Sequence, residues 1–509
     1  MLRVIVAVSL MALLAHCSSE PVPNDTLVVG IESNPSQLDP RLAADAYSVR
    51  ISRLLFDGLL RFNEKEEPIP CIAQEWSHPD SLTYIFHLRS PIFFHDGTLL
   101  TTSDVIYTFE SMKDPKLRSP NLATLEVLDS VTATDTNILT FKLKKPYVPF
   151  LHLLDLGIVP QKRLEEEPAD FRKNPIGTGP FQMGTWKVDD AVVLIANPHH
   201  FLVSPKLKKI IFKIIPNDAT RLLELRKGSI EFVQNAISPD LLPFLSKSEQ
   251  LEISEMKGTS YSYMGMNLQD PLLKDLHVRQ AMAYAINRDE IIRYLLENKA
   301  SLASGPLAPS LWSHSDSVQT FPYTPEKAKE LLDKAGYLDP DGEGPRPRFS
   351  LSYKTTDNPL RRRIAEVLKL QLAQVGIELR VRTYEWGTFF SDIQKGDFQL
   401  FTLTWVGISD PDILYYLFHS KSIPPHGANR GHYQNPQVDA LLEQGRETGN
   451  VQKRKALYQE IQKILAQDLP YISLWYPDTL IVKDKRIHGF VPYPNGAFDS
   501  FIFAQKGDR

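Results

Sequence analysis

Among the residues able to do chemistry, His419, His426 and His432 fall in one loop-rich segment, and grouped imidazoles are the first candidates for metal binding. Their spacing matches neither a helical pair nor a finger, and Pro424-Pro425 separates them, so they read as solvated loop residues. His199-His200 makes a weaker case. The run DPDGEG at 339–344 invites a calcium loop, yet an EF-hand needs Glu where Ser350 stands, so a surface turn is expected. GxSxG, HExxH and GxxxxGK[ST] do not occur, and scattered carboxylate pairs carry no catalytic signal in a chain with 61 acidic residues. Asp410 and Asp412 flank Pro411 just before the apolar run 413–418, where an acidic side chain caps a helix and stabilises its first turn. None of these residues gives catalysis or metal binding positive support, and no enzyme, no metal and no cofactor is expected.

The elements that would carry these residues are legible by period. Leu82, Tyr84, Phe86 and Leu88 alternate with Thr83, Ile85, His87 and Arg89 as a strand lying on a core. A hairpin is expected next: Ser90-Pro91 interrupts the ladder, 92–94 resumes it, and Asp96-Gly97 turns it. Thr101 and Asp104 have capping-box spacing for a helix whose apolar face is Val105, Ile106, Phe109 and Met112. Residues 358–385 read as helix then strand, with Leu360, Ile364, Val367, Leu368 and Leu372 on one face, a stop at Gly376, and Ile377, Leu379 and Val381 alternating. A helix over 325–335 turns Ala328, Leu331 and Leu332 inward and ends at Gly336; one over 451–465 stripes Ala456, Leu457, Ile461 and Leu465. Helical and strand patterns alternate without a tandem repeat, which favours mixed α/β lobes.

At 509 residues the chain exceeds one hydrophobic core, and 42% hydrophobic with 23% charged residues excludes disorder. A formal charge of −4 gives no case for nucleic acid. The N-terminus carries Arg3, the apolar run 4–15 and Cys17, too short to span a bilayer, and reads as a signal peptide over 1–16. LAHC at 14–17 resembles the lipobox of bacterial lipoproteins, so Cys17 is the expected lipidation site, although His16 departs from the usual small residue; an unlipidated secretory peptide is the alternative. Residues 17–25, with Pro21 and Pro23, then form a tether. Cys71 is expected to be packed, with no disulfide framework.

The run YIFHLRSPIFFHDGTLLTTSDVIYTF at 84–109 resembles the segment "ytFhLRxxvkFhDGtpltAxDVvyt" of the family 5 extracellular solute-binding proteins, the peptide and nickel receptors of bacterial ABC importers. LVVGIESNPSQLDP at 27–40, LFDGLLRF at 55–62, IAQEW at 72–76, PIGTGPF at 175–181, VRQAMAYAINR at 278–288 and YQNPQVDALL at 433–442 extend the resemblance along the mature chain.

That resemblance implies an α/β, type II periplasmic-binding-protein fold: lobe I from 26–45, 171–266 and 478–509, an extra α/β lobe over 46–170, and lobe II over 267–477. It implies a receptor that closes on short peptides held by their backbones and delivers them to an inner-membrane ABC permease and its ATPase subunits. The expected partners include the membrane through the lipid anchor but no nucleic acid, and the expected state is an exported monomer on the periplasmic side or outer face. The implied contacts are Asn34, Pro35, Ser36, Tyr107, Tyr263, Met264, Gly265, Asn267, Trp405, Val406, Gly407, Asn429 and Tyr433, each of which also has a plain packing or loop reading. In peptide-binding relatives a "WxxD" aspartate pairs with the peptide amine. Here Ile408 stands at that position, followed by Asp410-Pro411-Asp412. Either Asp410 or Asp412 takes the role through a shortened loop, or the ligand has no free amine there. A receptor for a nickel chelate or other non-peptide solute is the alternative function, and a secreted hydrolase a more distant one.

Overall fold

Strand Thr26–Ile31 is buried at all six positions, so it needs apolar partners on both faces. The computed structural model, which describes residues 22–64, 66–342 and 344–507, builds a seven-stranded sheet around it. The order is Leu251–Met256, Thr479–Asp484, Phe232–Gln234, Thr26–Ile31, Lys209–Ile214, Ala191–Ala196 and Phe181–Lys187, with the central strand parallel to the neighbour on each side. One face packs Leu27, Val29 and Ile31 against helix Ala46–Leu55 and the C-terminal Phe498 and Phe501; the other sets Val28 against Leu222, Leu225 and Val482. The expected signal segment, Cys17 and most of the tether lie outside the described residues.

A second sheet of six strands runs Ala300–Leu302, Tyr471–Pro477, Tyr261–Met266, Leu400–Trp405, Phe349–Thr356 and Ile377–Tyr384. The third is four-stranded and antiparallel, Ala73–Asp80, Thr83–Leu88, Ile138–Leu143 and Leu128–Asp135. Helix Thr102–Met112 covers it, opened by the Thr101–Asp104 capping box, with Phe109 edge-on to Phe141 at 5.2 Å. The 92–94 segment makes a single bridge, Phe93 to Leu99, around Gly97 at φ +83°, rather than a strand of the sheet. Pro91 breaks the ladder before it.

Three expected boundaries shift once burial is known. Helix Ala46–Leu55 belongs to the core of the first sheet, not to the extra lobe, because Tyr47, Ile51, Leu54 and Leu55 pack there. Val159 and Leu164 join the same core. Strand Tyr261–Met266 pairs with Leu400–Trp405 and Tyr471–Pro477, so the chain crosses to the second sheet before Tyr261 rather than after Met266. The crossings at 257–260 and at 478 therefore run side by side, clipped by Lys257 Nζ to Asp478 at 2.9 Å. A Cβ on Gly258 would stand 3.0 Å from the Pro477 carbonyl oxygen, so the pair is tightly apposed.

Helix Val451–Asp468 turns the expected Ile461 and Leu465 inward but not Ala456. Tyr458, Arg454, Ile461 and Leu465 are buried, while Ala456 is exposed. A tyrosine ring and a paired guanidinium fill positions that polarity alone assigns to solvent. His200 is buried with Nε2 3.3 Å from Asp57, and His419 is buried and stacked on Tyr415 at 4.1 Å, so neither is a solvated loop residue. Cys71 is buried.

The PIGTGPF segment crosses the C-terminus of helix Ala46–Leu55 with no room to spare. A Cβ on Gly177 would lie 2.1 Å from the Leu55 carbonyl oxygen. Gly177→Ala is therefore expected to lower stability by about 1–3 kcal/mol, read as a drop in the urea midpoint.

A titratable cluster sits where the extra lobe meets the C-terminal segment. Burial pushes the Glu66 carboxyl up from 4.5 to about 7, and Asn495 Nδ2 donates to it at 2.9 Å. Burial likewise raises Asp155 to about 6. A raised carboxyl holds its proton in the folded chain after the unfolded chain has released it. Its stabilising effect is full below pH 4.5 and lost as pH rises through about 7. The melting temperature is expected to fall across that window from this cluster, and Glu66→Gln to flatten the slope; an unchanged slope contradicts the assignment.

Candidate functional site

In open α/β sheets ligands gather beyond the carboxyl ends of parallel strands. Here those ends belong to Thr26–Ile31, Lys209–Ile214 and Phe232–Gln234 in the first sheet, and to Phe349–Thr356, Ile377–Tyr384 and Leu400–Trp405 in the second. The two sets meet. Gln234 Nε2 donates to the Gly496 carbonyl at 2.7 Å, and a Cβ on Gly407 would lie 2.4 Å from the neighbouring Asn495 oxygen. Arg363, on helix Pro359–Ala373, pairs with Asp240 of the first lobe at 2.9 Å.

The second lobe lines this cleft with a run of rings and guanidiniums. Trp386 stacks on Phe390 at 5.4 Å, Arg430 lies over both Phe390 and Trp405 at 5.5 and 5.1 Å, and Trp405 lies parallel to Tyr263 at 6.4 Å. Arg361 covers Trp386 at 5.8 Å. Tyr263 stacks on Tyr471 at 4.3 Å and is fully buried, its hydroxyl accepting from Arg430 Nη1 at 3.3 Å. Val406 is exposed, and Gly407 takes φ +66° where its backbone meets Asn495. The first lobe contributes Arg50 from helix Ala46–Leu55 and Gln234 from a strand end.

Asp410 and Asp412 are spent inside the fold. Arg454 grips Asp410 at 2.8 and 3.1 Å, and Arg446 grips Asp412 at 2.7 and 3.0 Å. Tyr147 of the third-sheet lobe donates to Asp412 at 3.0 Å. Asp412 occupies the N-cap position of helix Ile413–Phe418 but caps nothing with its side chain. Asp410 keeps part of the cap expectation, its Oδ1 accepting the Asp412 amide at 2.8 Å before helix Ile413–Phe418, while the amine-anchor role fits neither, because a carboxylate held bidentate by a guanidinium has its lone pairs committed.

Most other expected contacts are also structural. Asn34 pairs with Asp189, and Ser36 bonds Asp45 beside buried Pro35, fixing the loop after the first strand. Tyr107 lies under Arg41 at 5.8 Å. Met264 is fully buried, Gly265 faces the Phe401 ring, and Asn267 holds the Phe398 carbonyl at 3.2 Å. Asn429 staples its own loop by bonding the His419 and Tyr433 carbonyls at 3.2 and 2.7 Å, and Tyr433 donates to Asp468. The cleft itself retains Trp405, Val406, Gly407 and Tyr263.

Sequence reasoning missed Arg430, Phe390, Trp386, Arg361, Arg50 and Gln234. Arg430 adjoins Asn429, so the motif segment pointed within one residue of it. A polar depression of about 670 Å³ lies away from the cleft near Ser352 and Arg382; its buried Lys354 is already held by Asp392 and Asp397 at 2.7 and 3.1 Å. Among the described residues no group of three or more His, Cys, Asp or Glu side chains is placed to hold a metal.

The fold has close counterparts. Oligopeptide-binding protein AppA of Bacillus subtilis is 30% identical over 497 aligned positions, covering 94% of this chain and 91% of that protein. The structure of AppA in complex with a nonapeptide superposes with a TM-score of 0.89 at 28% identity, over 96% of this chain and all (100%) of the other. NikZ from Campylobacter jejuni in complex with Ni(L-His) gives a TM-score of 0.86 at 29% identity over 95% and 100% of the two chains. The Dipeptide-binding protein of Escherichia coli is 27% identical over 519 positions, 96% of each chain. The model of the bacterial extracellular solute-binding proteins, family 5, middle region, matches residues 67–424. The sequence match across most of the chain and the shared fold show the family: this chain belongs to the family 5 bacterial extracellular solute-binding proteins, which bind solutes and are not enzymes.

Proposed function

We propose that the protein captures short peptides in the cleft between its two large lobes and delivers them to an ABC importer in the membrane. The observation that carries this reading is the meeting of both sets of parallel strand ends across one cleft, with crossings at 257–260 and 478 as the hinge. The similarity to receptors described with a bound nonapeptide and as a dipeptide-binding protein supports peptides as the solute class. Lobe I comprises roughly 26–56, 159–256 and 479–507, the extra lobe 57–158 and lobe II 261–477, with Trp405, Phe390 and Trp386 as the ligand wall and buried Tyr263 backing Trp405. Exposed rings beside backbone edges suit peptides of varied sequence, since stacking surfaces and main-chain bonds recognise what all peptides share.

Cys17 carries the lipid anchor in this reading, holding a monomer at the outer side of the cytoplasmic membrane. Among the described residues no helix is long and apolar enough to cross a membrane. Native mass spectrometry of protein purified from its host, with fragmentation of the released ligand, tests the proposal. Short peptides at one per protein are expected; a stoichiometric sugar, haem or nickel chelate sinks the peptide assignment.

A further inference from the structure

Among the described residues, most arginines that reach the interior are paired with a carboxylate or wrapped by carbonyls. Arg41 pairs with Asp39, Arg61 with Asp57, Arg221 with Asp218, Arg446 with Asp412 and Arg454 with Asp410. Arg279 and Arg288 are wrapped by main-chain carbonyls, Leu273, Lys274, Asp468 and Leu469 for one and Phe321 and Ser473 for the other. Arg50 and Arg430 have neither. They are only 7% and 4% exposed; Arg50 feels the Glu32 carboxylate without an ion-pair contact, and Arg430 Nη1 donates to the Tyr263 hydroxyl at 3.3 Å. Arg50 Nη2 and Arg430 Nε lack any hydrogen-bond partner, as do Trp405 Nε1 and Gln234 Oε1.

Trp405 and Gln234 stand at strand ends where the lobes meet, with Arg430 against the first and Arg50 near the second. Arg430 lies on the Trp405 ring, and a Cβ on Gly496 would stand 2.5 Å from Arg50 Nη2 and 3.2 Å from Gln234 Nε2. Asn495, next to Gly496, abuts Gly407, two residues from Trp405. One guanidinium with no carboxylate in direct contact thus comes from each lobe. A buried charge without a counter-ion is costly, and the two would repel as the lobes approach, unless something anionic enters between them. The two carboxylates nearest in sequence to Trp405, Asp410 and Asp412, are already taken by Arg454 and Arg446.

We propose that the ligand is registered in this cleft by a carboxylate rather than by an amine. Arg430 and Trp405 are its donors from the second lobe, and Arg50 supplies the opposing counter-charge on closure. For a peptide the group is the C-terminal carboxylate, with Gln234 Oε1 free to accept a ligand N–H; this assignment rests on the peptide reading and deepens it. Guanidinium and indole N–H donors suit an oxyanion and offer an ammonium nothing.

Titration calorimetry with trialanine, N-acetyl-trialanine and trialanine amide tests it. The acid and its N-acetyl form are expected to bind alike, and the amide to bind about 10- to 150-fold more weakly, the range for a lost hydrogen bond to a charged group. Trp405→Phe keeps the ring stack and deletes one donor, so it should narrow the acid-to-amide ratio without unfolding the protein; Arg430→Gln should remove the ratio. An amide that binds as well as the acid, with binding lost on N-acetylation, overturns the carboxylate anchor and leaves the peptide reading intact. If none of the three binds, the peptide reading fails, and succinate decides the anchor. A succinate-induced rise in melting temperature that Arg430→Gln abolishes supports it, and no rise overturns it.

Discussion

Asp412→Ala is expected to cost the folded state about 3–5 kcal/mol, because it leaves the Arg446 guanidinium half-buried without its carboxylate. The loss reaches beyond one pair. Arg446 lies 3.5 Å over the Tyr415 ring and 5.0 Å from that of Tyr147, and its carbonyl accepts the Val148 amide at 2.8 Å, so Asp412 anchors the third-sheet lobe onto the second lobe. Lys145 to Glu447 at 2.8 Å adds an exposed pair that contributes little by itself. Urea denaturation reads the cost. A ligand anchor at Asp412 would instead leave stability unchanged and abolish binding, so the two measurements together separate a structural carboxylate from a recognition carboxylate.

Lys506→Met is expected to have an effect of similar size, about 3–5 kcal/mol, by stranding Glu231 in the first lobe. Lys506 Nζ lies 2.8 and 3.1 Å from the two Glu231 oxygens, and each side chain is 1% exposed. The same ammonium donates to the Thr26 carbonyl at 2.6 Å, which ties the C-terminal segment to the start of the central strand. Burial pushes the Glu231 carboxyl up and the Lys506 ammonium down, so each depends on the other to stay charged. Arg486, 3.2 Å from Glu231, leaves a partial substitute. The double variant Glu231→Gln, Lys506→Met should recover much of the loss, because it removes both charges from the interior; a double variant as unstable as Lys506→Met alone contradicts the pairing account.

The local architecture was legible where the chain signals itself within a few residues. Thr101 and Asp104 cap their helix as their spacing requires, Ile364, Leu368 and Leu372 turn inward, and Gly376 ends its unit at φ +84°. The motif series led to the family, and the family model matches a stretch that includes much of it. The cleft was less legible for a physical reason. Trp405 can be read as a site residue from its motif, but whether Asp410 faces a ligand depends on Arg454, which arrives on another helix. The same distance hides Arg50 and Arg430. Their significance is the lack of a carboxylate in direct contact, and no local pattern records an absence.

The central claim is that two lobes close on a peptide, and the most direct test is a distance between them. Leu223 and Leu370 are exposed, at 60% and 66%, on helices Asp218–Lys227 and Pro359–Ala373 of the two lobes. Leu223→Cys and Leu370→Cys in a Cys17→Ser background can carry spin labels, since Cys71 is buried. Pulsed dipolar spectroscopy, with occupancy followed by native mass spectrometry, should show a broad distribution that shortens and narrows when an equimolar pool of di- to pentaalanine binds. A distribution unchanged with peptide bound, or no binding of any member of the pool, would contradict the account.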